Sequence, residues 1–299
     1  MRVGVIDVGS YSCRLVVADV NKDKLNIVYE EGNITALGSG INSSGVISQE
    51  RMEETIKVMR AYAEKARTVG ASSVRVIGTE ALRKARNAND FVQRVKAETN
   101  MELEIVSPEK EGRYAFFAVA YSLKPSGRFC IIDQGGGSTE FVCGTDFNIE
   151  RLNSLPFGIV NLTEGFIHHD PPTLYELESL KDFLDEQISK VVSPCEHLLG
   201  LGGTITTLAA LQYNVYPYKS EKVHGKTLTI DQVEYWLETL ISMKEEKRIS
   251  IFPHIETKRA KVIIPGIVIF YRSMVIFKKR EITVSDWGLK EGVLVEYTM

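Results

Sequence analysis

The chain is short of several things, and each shortage narrows what it can be. It has four cysteines, Cys13, Cys130, Cys143 and Cys195, and no CxxC pair, which excludes the zinc and redox motifs built on that spacing. Cys13, Cys130 and Cys143 fall in or beside apparent strands, where a small buried thiol is the expected state rather than a disulfide or a metal ligand. Charge of either sign is not in excess: 36 Lys and Arg stand against 39 Asp and Glu, a net charge of −3. With no basic field, no nucleic-acid partner is expected, and a polyanionic ligand needs a local basic patch. No apolar run reaches the length of a membrane span, and MRVGVIDVGS has no apolar segment ahead of it. Neither signal peptide nor anchor is expected, and a reducing cytoplasm fits. Low-complexity linkers are absent too. What remains is an ordinary globular composition over 299 residues, 44% hydrophobic and 25% charged, enough for one large or two medium domains.

What is present alternates. RVGVIDVG reads as a buried strand, CRLVVADV as its hairpin partner and KLNIVYEEGNITAL as a third strand. SQERMEETIKVMRAYAEKARTVG places Met52, Ile56, Met59 and Ala63 at helical spacing, with Gly70 at its end. SVRVIGT predicts a strand, EALRKARNANDFVQRVKAE a helix, LEIVS a strand, and PEKEGRYAFFAVAYSL a helix capped by Ser107 with Pro108 in its first turn. This is α/β alternation with a largely parallel core. The second half restarts: RFCIIDQGG and STEFVCGTD as a hairpin, PPTLYELESLKDFLDEQISKV as a helix, HLLGLGG as a strand into the helix TITTLAALQYN. TIDQVEYWLETLISM and KRAKVIIPGIVIFYRSMVIF read as helices, Pro265 marking a kink or a start. EITVSD and GLKEGVLVEYT close the chain as strand and helix, and PYKSEKVHGKTLT reads as a long loop.

A repeat lies inside this order. I-D-V-G-S-Y-S-C-R-L-V (Ile6–Val16) aligns with I-D-Q-G-G-G-S-T-E-F-V (Ile132–Val142), matching Asp7 to Asp133, Gly9 to Gly135 and Ser12 to Ser138. Two such hairpins, one opening each half, imply two similar domains with a ligand between them. A tight glycine turn flanked by Ser10, Ser12, Ser138 and Thr139 suits phosphate oxygens. Asp7, Asp133 and Glu140 cannot hold phosphate, since like charges repel, but suit Mg²⁺ or a similar divalent cation. The alternative is a plain hairpin in which glycine supplies positive φ. GLGGTITTLA (Gly200–Ala209) runs a strand into a helix N-terminus that could meet an anion. SDWGLKEGVL (Ser285–Leu294) is another Asp-then-Gly turn, equally readable without a ligand. His168–His169–Asp170 reads as an exposed loop.

Seven motifs occur in order: D-x-G-S-x-S-x-R-L at Asp7–Leu15, T-E-A-L-R-x-A-x-N at Thr79–Asn87, E-x-E-G-R at Glu109–Arg113, D-x-G-G-G-S-T-E at Asp133–Glu140, G-G-T at Gly202–Thr204, V-H-G at Val223–Gly225 and G-L-x-E-G at Gly288–Gly292. Together they resemble the exopolyphosphatase/guanosine pentaphosphate phosphatase (Ppx/GppA) family over nearly the whole chain, in its short two-domain form. The resemblance implies two actin-like domains of the ribonuclease H-like, ASKHA superfamily. They are drawn at 1–120, with the first phosphate loop and the catalytic glutamate, and at 121–299, with the GGGSTE loop and a last helix able to return to the first domain. It implies Mg²⁺-dependent release of terminal phosphate by water, from inorganic polyphosphate or from pppGpp, a nucleotide of the stringent response. Glu111 is then the base. The resemblance assigns metal or water positioning to Asp133 and Glu140, and the phosphate cradle to Ser10, Tyr11, Ser12, Gly135, Gly136, Gly137, Ser138 and Thr139; from the residues themselves, Asp7 joins the first set, Gly9 of the same turn joins the second, and Arg83 is the candidate basic contact to the polyanion. Gly202, Gly203, Thr204 and His224 line the site. A monomer or homodimer is expected.

On chemistry alone Glu111 also reads as a first-turn glutamate on a helix dipole, and Arg83 as one of a solvated basic face with Lys84 and Arg86. The chain departs from the family's usual residues at Tyr11 (usually Asn), Lys110 (Glu), Gln134 (apolar) and Lys290 (Arg). A sugar or acid kinase of the same superfamily, or a nucleotide-sensing actin-like protein without turnover, are the competing readings.

Overall fold

The computed structural model describes residues 1–22 and 24–299 and gathers the apolar runs into two sheets. Strands β1 (Arg2–Val8), β2 (Ser12–Asn21) and β3 (Lys24–Ile34) form an antiparallel meander. On the far side of β1, β4 (Ser73–Gly78) pairs parallel to it and β5 (Leu103–Ile105) parallel to β4, for an order β3-β2-β1-β4-β5. The second sheet repeats the plan. β6 (Arg128–Gln134), β7 (Thr139–Thr145) and β8 (Asn148–Leu155) form the meander, and β9 (His197–Leu201) pairs parallel to β6. An edge strand β10 (Thr227–Thr229) lies antiparallel on β11 (Glu281–Ser285), which pairs parallel to β9. The order β8-β7-β6-β9-β11-β10 thus reproduces the first sheet and adds one strand. This is a duplicated α/β fold. Both sheets are mixed rather than largely parallel, because three strands of each belong to a meander.

By contacts the first unit comprises Met1–Tyr121, Gly135–Gly137 and Gly288–Met299, and the second Ser122–Gln134 and Ser138–Trp287. Each unit has its own core. In the first, Ile6, Leu15 and Val17 of the sheet meet Ile56, Met59 and Tyr62 of the helix Gln49–Thr68 and Phe91 of the helix Ala88–Thr99. In the second, Ile132, Phe141 and Val284 meet Leu180 and Leu184 of the helix Leu174–Ser189 and Phe270 of the helix Ile263–Ile276. Each such side chain contributes about 1.5–3 kcal/mol when fully buried.

Several expectations need correcting. The run from Glu80 to Thr99 is two helices, Glu80–Lys84 and Ala88–Thr99, with Ala85 extended between them. The break is tertiary: the Asn87 side chain accepts from Ile47 N–H and donates to Ile47 O, both at 2.9 Å. The long-loop tract contains a short helix, Ser220–Val223, and β10. Pro265 sits in the first turn of Ile263–Ile276, so it starts a helix rather than kinking one. Strand β8 and the helix Ile159–Phe166 were not anticipated. Cys130 and Cys143, expected as thiols, are disulfide-bonded directly opposite one another on β6 and β7. Cys13 and Cys195 are the free cysteines. Among the described residues no helix is long and apolar enough to cross a membrane.

The His168–His169–Asp170 segment is exposed and organised by a buried carboxylate. Glu176 accepts from the N–H groups of His168, His169 and Thr173 at 2.7, 3.1 and 2.7 Å, and from Thr173 Oγ1 at 2.9 Å. His169 Nδ1 lies 2.9 Å from the same carboxylate. Burial pushes the Glu176 carboxyl up, but these partners outweigh it and hold it at about 2.

Two predictions follow from these contacts. Because the folded-state value of Glu176 lies below its ordinary 4.5, its stabilisation is whole above pH 4.5 and is lost as pH falls towards 2. Glu176→Gln should therefore be less stable than wild type at pH 7 by about 1.5–3 kcal/mol, with a shallower loss of urea midpoint between pH 5 and 2. A gap that does not narrow on acidification would contradict this. Denatured without reductant, the chain should titrate two thiols, and reduction should then expose four and lower its stability by about 3 kcal/mol.

Candidate active site

The first turn, between β1 and β2, is closed by Gly9 N–H donating to Ser12 O at 2.9 Å. Ser10 is buried, and its hydroxyl works in two directions: it accepts from Ala81 N–H at 3.0 Å and donates to Glu80 Oε2 at 3.1 Å. Tyr11 is buried as well, its carbonyl accepting from Thr35 and Ala36 N–H. Ser12 Oγ receives Arg14 Nε at 3.4 Å. Asp7 lies directly across the strand pair from Arg14.

The glycine run of the second repeated hairpin answers to space rather than to backbone handedness. Gly135, Gly136 and Gly137 are not among the left-handed residues of the chain. A Cβ on Gly136 would stand 2.9 Å from both Ser10 Cβ and Tyr11 N, and one on Gly137 would stand 1.8 Å from Glu80 Oε2. At Gly136 a side chain would meet the backbone of the first turn, and at Gly137 it would have to displace the Glu80 carboxylate.

Glu111 sits one turn into the helix Pro108–Leu123, whose start Ser107 caps by accepting Lys110 N–H at 3.3 Å. Its side chain is 9% exposed and pairs with Arg83 Nη1 at 2.8 Å. The same Arg83 nitrogen donates to Val106 O at 2.8 Å. The solvated-face reading of Arg83 is therefore set aside, while Lys84 pairs with Glu80 and Arg86 reaches Ser44 O. Burial pushes the Glu111 carboxyl above its ordinary value. Arg83 opposes that by charge and hydrogen bond, and the Glu80 charge adds to it.

The segment Gly288–Met299 completes this unit. A Cβ on Gly292 would stand 1.9 Å from Tyr114 O, so the G-L-x-E-G motif lets two backbones touch three residues from Glu111. Arg75 ties the end of the segment, donating to Glu296 at 3.0 Å and to Tyr114 Oη at 3.4 Å. Lys290 and Glu291 are buried and paired, and Glu291 Oε2 accepts from Gly288 N–H at 2.8 Å. Both act on Asp7. The Asp7 carboxyl is raised to about 7: burial is the main cause, the charges of Glu111 and Glu291 add to it, and Arg14 and Lys290 oppose it.

In the second unit, the residue across the strand pair from Asp133 is Glu140, not an arginine. Glu140 is buried and accepts from Ser154 Oγ at 2.7 Å. Thr139 commits its hydroxyl proton to Phe157 O at 2.7 Å, and Ser138 is buried beside it. Gln134, where an apolar residue is usual, donates to Gly266 O at 2.7 Å and so anchors the helix Ile263–Ile276. Gly202 precedes the helix Gly203–Gln212, which has no side-chain cap at its N-terminus, and Thr204 in its first turn is buried. The guanidinium of Arg259 lies against Gly203. An uncapped helix start beside an arginine suits an anion. Arg259 was missed in the sequence because it lies 56 residues from Gly203, in a run that reads as an ordinary basic helix start. His224 Nδ1 accepts from Asp286 N–H at 3.2 Å, which joins the V-H-G motif to the S-D-W-G turn.

Among the described residues, no three His, Cys, Asp or Glu side chains form a ready-made metal cluster. The buried Asp7 Oδ1 nevertheless has no hydrogen-bond partner, and Asp133 faces a second carboxylate. Mg²⁺ is commonly held by one or two carboxylates, with water and substrate phosphates completing its shell, so these oxygens fit it.

Comparison with known proteins agrees with this geometry. Residues 16–298 match the model of the Ppx/GppA phosphatase family. The chain is 29% identical over 311 residues to Exopolyphosphatase 2 of Mycobacterium tuberculosis, covering 98% of this chain and 97% of that one. It is 29% identical over 306 residues to a bifunctional 3-dehydroquinate synthase/phosphatase of Fusobacterium nucleatum, and there 97% of this chain spans 46% of the relative's length. A crystal structure of the Aquifex aeolicus Ppx/GppA family member superposes with a TM-score of 0.87 at 50% identity, covering 99% of this chain and 97% of that one. Duplicated hairpin, buried Glu111–Arg83 pair and full-length match together make this chain a member of the Ppx/GppA phosphatase family.

Proposed function

We propose that the chain is an exopolyphosphatase, releasing terminal orthophosphate from inorganic polyphosphate by attack of water. The observation that carries the reading is the buried Glu111, salt-bridged to Arg83, in the unit that also holds the glycine-packed Ser10 turn. Glu111 accepts a proton from the attacking water as its oxygen bonds to the terminal phosphorus. The bridging P–O bond breaks, and its electron pair leaves on the shortened chain. Burial raises the basicity of Glu111, and Arg83 keeps enough of it ionised to act. Phosphoryl transfer asks mainly for positioning and charge neutralisation. In the first unit, which holds Glu111, Arg83 and the backbone of the Ser10 turn supply these. A divalent cation such as Mg²⁺, when bound, would neutralise phosphate charge. The carboxylates available to it are Asp7 in the first unit, and Asp133 with Glu140 in the second. The same chemistry would take pppGpp, which ends in the same phosphoanhydride.

Phosphate release from long-chain polyphosphate and from pppGpp, measured in parallel with Mg²⁺ and with EDTA, tests the reading. Release should need the metal, and Glu111→Gln should lower kcat by about 10²–10⁴-fold. An undiminished rate in the variant would remove Glu111 as the base. Faster turnover of pppGpp than of polyphosphate would change the substrate. No release from either would move the chain to the kinase or sensor reading. The acid limb of the kcat/KM profile should lie above pH 4.5, since the Glu111 carboxyl is raised from that value.

Asp7 makes a separate prediction. Its folded-state value is raised to about 7, so its contribution to stability is whole below pH 3.8 and is lost as pH rises through 7. A cation bound there displaces the proton. Mg²⁺ titrations in buffers of different ionisation enthalpy should show proton release and weaker binding at pH 6 than at pH 8. Asp7→Asn should lose both effects, and a variant that kept both would exclude Asp7 as a ligand.

A further inference from the structure

Glu80 has no role in the chemistry proposed above, yet it is a carboxylate only 8% exposed, placed against the glycine loop. An anion beside a phosphate turn works against phosphate binding unless it serves something else. Its contacts say what it serves. Glu80 Oε2 takes the Ser10 hydroxyl proton at 3.1 Å, while Ser10 Oγ takes Ala81 N–H at 3.0 Å. Ser10 therefore has no hydroxyl proton left for a phosphate oxygen, since a hydroxyl has one to give. Its side chain is a strut between the first turn and the start of the helix Glu80–Lys84. The Glu80 carboxylate lies against Gly137, in the volume a side chain there would take, and Lys84 pairs with it from the next helical turn.

We propose that Glu80 is a positioning residue for phosphate hydrolysis: it locks the Ser10 turn to the helix that carries Arg83, and so sets the phosphate loop and the Arg83–Glu111 pair in register. This rests on the exopolyphosphatase reading for its kinetics, but not for its structural part. The charged groups that act on Glu111 are Arg83, which pairs with it, and Glu80, whose charge raises it; Asp7 also feels the charge of Glu111.

The test is a double-mutant cycle read twice. Thermal unfolding without substrate is measured for wild type, Ser10→Ala, Glu80→Ala and the double variant. If the two side chains form one strut, each single variant lowers Tm, and the double lowers it no further than the worse single. Additive losses would overturn the strut. Kinetics on polyphosphate then separate lock from charge. Glu80→Ala should raise KM several-fold, with Ser10→Ala adding nothing to it. Glu80→Gln keeps an acceptor for Ser10, so it should hold KM near the wild-type value. It also removes a charge that raises Glu111, so it should move the acid limb of kcat/KM to lower pH. A wild-type KM in Glu80→Ala, or an unmoved acid limb in Glu80→Gln, would overturn the positioning role. Should Glu80→Ala fail to fold, Glu80→Gln and Ser10→Ala still give the limb and the KM. If wild type releases no phosphate, the exopolyphosphatase reading fails, and the Tm cycle alone decides the strut.

Discussion

A carboxylate taken almost out of water must be met by something, because an unpaired buried charge costs several kcal/mol. Glu111 is such a carboxylate, and much of the first unit is arranged round its meeting with Arg83. Arg83 reaches it from the short helix Glu80–Lys84, which ends one residue later. That ending is enforced by Asn87, which turns the chain away to hold the backbone of Ile47 by two hydrogen bonds. Glu111 stands at the right level because Ser107 and Pro108 start its helix three residues earlier. The Tyr114 carbonyl, one turn further on, is held against Gly292. Altering any of these would act on the Glu111–Arg83 pair without touching either side chain.

The duplication gives two turns of one design in different electrostatic surroundings. Across from Asp7 the chain places Arg14; across from Asp133, at the equivalent position, it places Glu140. Opposite charges on facing strand residues stabilise a pair, and like charges destabilise it. The two turns thus share a backbone plan but not a charge pattern: Asp7 feels the pull of Arg14 and Lys290, whereas Asp133 stands across from a second carboxylate.

Much of this was legible in the sequence. Apolar runs ending in D-x-G located the hairpins, and their alignment anticipated a duplicated fold. What stayed hidden depended on contacts distant along the chain. No glycine or proline marks the break at Ala85, since Asn87 makes it by pairing with a residue 40 positions away. Strand β8, NIERLNSL, lies at a sheet edge with much of it open to solvent, so it lacks the apolar alternation of a half-buried strand. The Cys130–Cys143 disulfide had a usable signal. Once Asp133 is set across from Glu140, counting three residues outward on both strands lands on the two cysteines. Glu80 stood inside a quoted motif, but nothing local shows that its carboxylate faces Ser10, 70 residues away.

The three successive glycines illustrate why composition alone misleads about purpose. Glycine in a turn usually signals a left-handed backbone, yet Gly135–Gly137 do not need one. They mark a place where other groups have taken the volume of a side chain: Ser10 and Tyr11 at Gly136, the Glu80 carboxylate at Gly137. A side chain at Gly137 would have to evict that carboxylate, and eviction would release the Ser10 hydroxyl to which it is bonded. Loop, carboxylate and serine are therefore one steric and hydrogen-bonding constraint, although they come from three separate stretches of the chain. A bulky residue at Gly137 and the loss of the Glu80 acceptor should act on the same structural variable, the placing of the Ser10 turn.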